Sequence, residues 1–225
     1  MKLQEYLTVV FDCDGVILDS NKLKTQAFYL TALPFGETAA QTLVDYHVQN
    51  GGVSRYQKFE YFLQTILGTA IDPTQLNGLL NTYAKIVSEG LLTCEITPGL
   101  HELRQALPHT RWLVASGSDQ TELRDVFAQR QLSPLFDGGI FGSPDTKEEI
   151  LLREIELGNL QTPALFLGDS RYDYIAATKA NLDFVFVSGW SELKNWQFFC
   201  SKLDLKHIEK LSKIFHATSF WDKFG

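Results

Sequence analysis

Three aspartates follow the first apolar run of the chain at a spacing that suits metal or acid–base chemistry. The segment reads VVFDCDGVILDS over residues 9–20 and contains Asp12, Asp14 and Asp19. Carboxylates held close together repel one another and lose hydration unless a cation lies between them. Residues two apart in an extended segment point to the same side, so Asp12 and Asp14 are expected to project together. The segment therefore predicts either a solvated turn or half of a cation site.

Further polar groups follow later apolar runs or begin a helical segment. Ser116 and Gly117 end one run, Lys147 begins a helical segment, and Asp169 and Asp173 follow another run in the segment GDSRYD. In an open parallel sheet the ligand site lies outside the carboxyl ends of the strands, so these groups are predicted to converge. Clustered carboxylates suit Mg²⁺, which is bound by a few carboxylates and a substrate phosphate. Lys147, the Ser116 hydroxyl and nearby backbone N–H groups would then donate to the phosphoryl charge.

The fold class follows from an alternation of apolar runs and amphipathic helical segments. Such alternation predicts right-handed βαβ units, and hence an α/β fold with a Rossmann-like, doubly wound parallel sheet. The predicted strands are YLTVVF, RWLVAS, GGIFG, ALFLGD and FVFVSG. The aromatic-rich tail from Ser191 is interpreted as helices that close one edge of the sheet, with a partner-binding surface as the alternative.

A long segment after the first strand has only helical periods. Breaks at 34–36, 50–52 and 68–73 divide it into several helices. We predict an all-helical cap domain over residues 20–88, inserted into a discontinuous core domain of residues 1–19 and 89–225.

Composition excludes several classes of partner. The 225 residues carry a net charge of −7 without clustered Lys or Arg, which argues against nucleic acid. No apolar run approaches the roughly 20 residues that span a bilayer, and the start MKLQEYL lacks signal-peptide features. Cys13, Cys94 and Cys200 have neither disulfide-framework nor zinc-site spacing, so reduced thiols are expected. A cytoplasmic monomer or homodimer is predicted.

The order DxDGV, strand-end Ser, helix-start Lys and GDSxxD resembles the haloacid dehalogenase superfamily with a type 1 helical cap, in particular its phosphoglycolate phosphatase and β-phosphoglucomutase-like subgroup. The resemblance spans residues 9–173. It implies that Asp12 is an aspartyl-phosphate nucleophile and that Asp14 is the acid/base, which also ligates Mg²⁺ through its carbonyl. The other implied roles are phosphate binding by Ser116, Gly117 and Lys147, metal binding by Asp12, Asp14 and Asp169, and orientation of Lys147 or metal waters by Asp173.

The cap carries candidate specificity residues at the start of a helix. The segment NGGVSRYQKF is predicted to expose Ser54, Arg55 and Lys58, and a helix start beside an arginine suits an anion. Its GVSR is similar to the cap loop of β-phosphoglucomutases and some sugar-phosphate phosphatases, which implies that Arg55 reaches a second anionic group or a sugar hydroxyl. A solvated arginine in a helix–helix turn is the alternative. Lys24 is a third candidate specificity residue, beside Ser54 and Arg55, and it stands where those mutases carry a histidine. The histidines of this chain, His47 among them, are interpreted as surface or packing residues.

The resemblance implies a Mg²⁺-dependent phosphatase of a small phosphorylated metabolite, either a sugar phosphate or a phosphoglycolate-like acid. A phosphomutase with the same aspartyl-phosphate chemistry is the first alternative, although Lys24 removes a group that titrates near neutrality. A non-catalytic phospho-accepting domain is the second. Such domains lack both an acid/base two residues after the nucleophile and a helical cap.

Overall fold

The computed structural model describes residues 2–216, which contain a six-stranded parallel sheet in the order β3-β2-β1-β4-β5-β6. Every neighbouring pair of strands is parallel, as predicted for an α/β fold of this class. The strands are β1 (Thr8–Phe11), β2 (Arg111–Asp119), β3 (Gly139–Ser143), β4 (Ala164–Gly168), β5 (Asp183–Val187) and β6 (Lys206–Ile208).

Helices cover both faces of the sheet, because alternate residues of the central strands are apolar on each side. All four residues of β1 are buried, with Val9 and Phe11 in one apolar cluster and Val10 in the other. The first cluster takes side chains from α5 (Leu100–Ala106) and α6 (Gln120–Gln129). The second takes them from α7 (Lys147–Glu156), α8 (Arg171–Lys179) and α9 (Trp196–Lys202). This is the predicted doubly wound arrangement.

The first part of the chain between β1 and β2, residues 21–93, forms a group of helices that precedes α5. They are α1 (Asn21–Ala32), α2 (Glu37–Gln49), α3 (Arg55–Tyr61), a π-helical turn (Phe62–Ile66) and α4 (Pro73–Thr93). The rings of Phe28, Phe59 and Tyr83 pack together at their centre. The division into a core of residues 1–19 and 89–225 and a cap of residues 20–88 stays a prediction, and α4 runs through its second boundary.

The tail after β5 differs from the prediction of helices alone. It forms α9 and then the edge strand β6, which pairs in parallel with β5. A three-residue strand is too short to show the alternation by which strands are recognised in sequence. The last part of the predicted tail, residues 217–225, lies outside the described residues. Within residues 2–216, no helix has both the length and the apolar character that a membrane crossing requires.

Candidate active site

The predicted site residues lie where the strand order reverses, between β1 and β4. Asp12 follows β1 and Asp169 follows β4, and the Asp12 N–H donates to the Leu167 carbonyl at 2.9 Å. A crevice opens at such a switch point because the chain leaves the two strands in opposite directions. The fold therefore brings these two aspartates side by side.

Three buried carboxylates form a cluster at this point. Oxygen atoms of Asp12, Asp169 and Asp173 lie within 4.8 Å of one another. Burial raises the pKa of Asp12 to about 7, although the Lys147 ammonium opposes the rise. Burial also raises the pKa of Asp169 well above its usual range, and the Asp12 and Asp173 carboxylates add to the effect. Because the cluster is short of positive charge and offers only oxygen ligands, it fits a hard divalent cation such as Mg²⁺.

Lys147 supplies one positive charge at the edge of the cluster. Its Nζ lies 2.8 Å from Asp12 Oδ1 and is ion-paired with Asp173, and its side chain is fully buried. The other Asp173 oxygen accepts hydrogen bonds from the Asp169 N–H (3.1 Å), the Ser170 N–H (3.0 Å) and the Ser170 hydroxyl (2.7 Å). Asp173 therefore both orients Lys147 and fixes the turn that carries Asp169.

The Asp14 carboxylate engages partners outside this cluster. It lies 2.7 Å from Lys24 Nζ and accepts from the hydroxyls of Ser118 (2.7 Å) and Ser20 (2.5 Å). Burial alone would raise the pKa of Asp14, but Lys24 and these hydroxyls outweigh burial and hold the pKa below its usual range. Asp14 therefore faces the same cavity as Asp12 as an ionised carboxylate that can accept a proton. Lys24, predicted as a specificity residue, contacts the acid/base candidate.

Asp12 and Asp14 line the same cavity, as expected, but contact different partners, because the extended backbone ends at Phe11. Gly15 takes a φ of +77°, and a Cβ there would lie 2.2 Å from Asp169 Oδ2. Only glycine combines that backbone conformation with so close an approach. The chain thus turns directly beside the carboxylate cluster.

Two polar residues of the site were missed in the sequence. Asn21 Nδ2 donates to Asp169 Oδ2 at 2.7 Å, and Ser118 contacts Asp14 and lines the cavity. Ser116, predicted to bind phosphate, is fully buried, and its Oγ accepts from the Ser118 N–H at 3.1 Å. The cavity wall is formed by Gly117 and Ser118, since β2 slips in register between Ala115 and Asp119 and such bulges redirect side chains.

The helices inserted after β1 lie over the carboxylates and border a small cavity of about 70 Å³. A Cβ on Gly117 would lie 2.2 Å from the carbonyl oxygen of Gly52, which stands in the loop between α2 and α3. Backbone therefore touches backbone where this loop meets the strand end.

Gly117→Ala is expected to lower kcat/KM at least about tenfold, because the added methyl pushes the Gly52 loop away from the site. The matched control is Gly78→Ala in α4, where a Cβ would meet nothing within 4 Å. Steady-state kinetics of both variants test this prediction. Wild-type kinetics in Gly117→Ala would show that the close approach of the Gly52 loop to Gly117 is not needed for catalysis.

The start of α3 is buried, so the prediction that it exposes Ser54, Arg55 and Lys58 is wrong. Their exposed fractions are 8%, 5% and 2%. The Ser54 hydroxyl caps α3 by accepting from the Gln57 N–H at 3.3 Å. The two terminal guanidinium nitrogens of Arg55 each donate to a carboxylate oxygen of Glu122 in α6, and the Nη1–Oε2 distance is 3.0 Å. The sequence could not reveal this burial, because the burial depends on docking of α3 against the sheet and α6.

Arg55→Ala and Glu122→Ala are each expected to destabilise the protein by about 3 kcal/mol, since each leaves a partly desolvated charge without its partner. The double variant is expected to be no less stable than either single variant. Urea unfolding of the wild-type protein, the two single variants and the double variant measures the coupling energy between Arg55 and Glu122. Additive losses would contradict a bidentate pair.

His47 is the clearest residue that the sequence interpretation undervalued. It lines the cavity, with Nδ1 2.8 Å from Lys58 Nζ and Nε2 3.0 Å from Thr25 Oγ1. Burial and the nearby Lys58 ammonium hold the pKa of His47 well below its usual range. A signal was available, because His47 continues the buried face of α2 from Ala40 and Leu43 at helical spacing.

The parallel sheet with an acidic cluster at its switch point defines a class of α/β enzymes that act at the carboxyl edge of the sheet. A family model described as haloacid dehalogenase-like hydrolase matches residues 6–181, and the chain belongs to that family. A comparison with curated proteins found no match.

Solved structures share the fold. A predicted phosphatase from Clostridium acetobutylicum is 19% identical with a TM-score of 0.72, covering 96% of this chain and 98% of its own. A predicted phosphoglycolate phosphatase from Haemophilus somnus 129pt is 16% identical with a TM-score of 0.70, covering 95% and 98%. CbbY from Rhodobacter sphaeroides, in complex with phosphate, is 16% identical with a TM-score of 0.67, covering 93% and 96%. At these identities the likeness shows the fold alone.

Proposed function

We propose that this hydrolase is a Mg²⁺-dependent phosphatase that cleaves a small phosphorylated metabolite through an aspartyl-phosphate on Asp12. The observation that carries the proposal is the position of the Asp12 carboxylate. It lies 2.8 Å from Lys147 Nζ, belongs to a cluster of oxygen ligands, and lines a cavity bordered by the inserted helices. A nucleophilic carboxylate, a cation site and a cavity that a substrate can enter are the parts that such a reaction requires.

Each step is assigned to residues of this chain. The Asp12 carboxylate attacks the phosphorus and the ester bond breaks. The leaving oxygen takes a proton from the protonated form of Asp14, which must first take up a proton from solvent because Lys24 holds the carboxyl ionised in the protein alone. Asp14 then accepts a proton from water, which attacks the phosphorus of the aspartyl-phosphate and releases phosphate and Asp12. Lys147, the N–H groups near Gly117 and the Ser116 hydroxyl donate to the phosphoryl oxygens.

Asp12 and Asp169, with the Asp14 carbonyl, are the residues that would hold Mg²⁺. When bound, the cation neutralises the carboxylates and the phosphoryl charge, so that two anions can approach each other. Asp173 would act through Lys147 and the turn at Asp169.

The names of the structural neighbours support phosphatase chemistry, since two of them are described as predicted phosphatases. The substrate we propose is a sugar phosphate or a phosphoglycolate-like acid. We propose neither nucleic acid nor a membrane as a partner. We also propose that the enzyme is cytoplasmic, which the three free cysteines support, and that it acts as a monomer or homodimer.

Phosphate release from a panel of phosphorylated metabolites, with Mg²⁺ and with chelator, tests this function. We expect Mg²⁺-dependent release from at least one carboxylated or sugar phosphate. Migration of the phosphoryl group without free phosphate would instead identify a phosphomutase. A folded protein that neither releases nor moves phosphate would contradict the proposal.

A further inference from the structure

Among the described residues, Lys58 differs from the other buried cations near the cavity in having no carboxylate partner. Lys24 pairs with Asp14, Arg55 pairs with Glu122, and Lys147 pairs with two aspartates. Lys58 is only 2% exposed, yet among the described side chains of residues 2–214 no carboxylate oxygen lies within 4.0 Å of its Nζ. Its side chain lines the cavity beside the Phe28 ring, whose centroid is 5.5 Å from Nζ.

A chain of hydrogen bonds holds the Lys58 ammonium in place. The Thr25 hydroxyl donates to Glu192 Oε2 at 2.6 Å and therefore accepts from His47 Nε2–H. That tautomer leaves His47 Nδ1 to accept one ammonium hydrogen of Lys58 at 2.8 Å. The relay joins three cap helices to the segment after β5, and it leaves two ammonium hydrogens of Lys58 without a described acceptor.

An unpaired ammonium in so dry a place is costly for the protein alone. Burial lowers the pKa of Lys58 to about 7, and the Lys24 ammonium adds to the effect. An anion in the cavity would pair with the ammonium and remove this cost. A group with one negative charge neutralises one ammonium, whereas a phosphate dianion would leave one buried negative charge uncompensated. A carboxylate is therefore the better complement.

We propose that Lys58, oriented by His47, Thr25 and Glu192, binds a carboxylate of the substrate and makes the enzyme selective for phosphate monoesters of small hydroxy acids. The inference rests on the proposed phosphatase function and specifies its substrate class. It assigns to Lys58 the recognition of a second anionic group that the sequence assigned to Arg55, because the Arg55 charge is already taken by Glu122.

Two esters of equal carbon number test the carboxylate directly. They are 2-phosphoglycolate and 2-hydroxyethyl phosphate, which differ only in a carboxylate or a hydroxymethyl group. For the wild-type protein we expect kcat/KM to favour phosphoglycolate by about tenfold or more, as a charge-assisted hydrogen bond provides. In Lys58→Gln the ratio of the two values is expected to fall to about one. The matched control Lys22→Gln, an exposed lysine of α1, is expected to keep the wild-type ratio.

The ratio distinguishes loss of carboxylate recognition from misfolding, because a misfolded variant loses activity on both esters together. A wild-type ratio near one, or a ratio that survives in Lys58→Gln, would overturn the role of Lys58. Calorimetric titration of both esters into Asp12→Asn with Mg²⁺ present, where turnover is stopped, measures the same preference as binding. If neither ester is cleaved but phosphoglycolate alone binds through Lys58, the proposed catalysis fails while the carboxylate site stands.

Discussion

Asp12→Asn is expected to reduce phosphate release at least about 10³-fold, because an amide oxygen cannot form the aspartyl-phosphate. The loss should appear in kcat for every ester the wild-type protein cleaves. Steady-state phosphate release with saturating Mg²⁺ is the measurement.

The variant is expected to remain folded, with a melting temperature in chelator equal to or above that of the wild-type protein. Asp12 is buried beside two other carboxylates, which raises its pKa to about 7, so the ionised side chain is costly at neutral pH. Asparagine removes that charge without changing the size of the side chain. Circular dichroism during heating measures the transition.

Asp125→Asn on the exposed face of α6 is the matched control, and wild-type activity is expected for it. Substantial turnover by Asp12→Asn would eliminate Asp12 as the nucleophile. A loss of folded signal in that variant would leave the kinetic result uninformative, and Asp12→Glu, which retains the charge but displaces the carboxylate, would then take its place.

Removal of divalent cations is expected to stop phosphate release, and added Mg²⁺ is expected to restore it. Without a divalent cation, the phosphoryl group must approach the carboxylates of Asp12, Asp169 and Asp173, for which Lys147 is the one ion-paired cation among the described residues. Assays in chelator and after re-addition of Mg²⁺ give the measurement. Full activity in chelator would remove the metal from the mechanism.

Mg²⁺ binding should also be visible in stability, independently of turnover. A ligand that binds only the folded protein raises its melting temperature, so Mg²⁺ is expected to stabilise the wild-type protein. Asp169→Asn should lose most of this increase, whereas Asp125→Asn should keep it. An equal increase in Asp169→Asn would place the cation elsewhere.

The fold was predictable from sequence because the strands of a doubly wound sheet are buried on both faces. Runs such as TVVF and ALFLG therefore lack polar interruption and are recognisable without knowledge of their neighbours. The predicted convergence of Asp12, Lys147 and Asp169 follows from the same topology, since parallel strands deliver their carboxyl ends to one edge.

The contacts of the helices inserted after β1 were less predictable, because helical periodicity identifies a buried face but not the surface that covers it. The sequence identified the α3 start as a polar segment, yet its Arg55 pairs with Glu122, which lies 67 residues away. The same limit applies to His47 and Lys58. Their helical faces are readable, whereas the cavity they share exists only after α1, α2 and α3 have packed together.

The contact of Gly52 with Gly117 has an energetic consequence for substrate exchange. Two glycines meet there through backbone atoms, with no side-chain carbon between them. Hydrophobic stabilisation scales with the apolar area removed from water, at about 25 cal/mol per Å², and this contact removes little. Separating the loop from the strand end therefore exposes hardly any carbon surface and costs little hydrophobic free energy. This contact can exclude water from the site and still open quickly when product leaves.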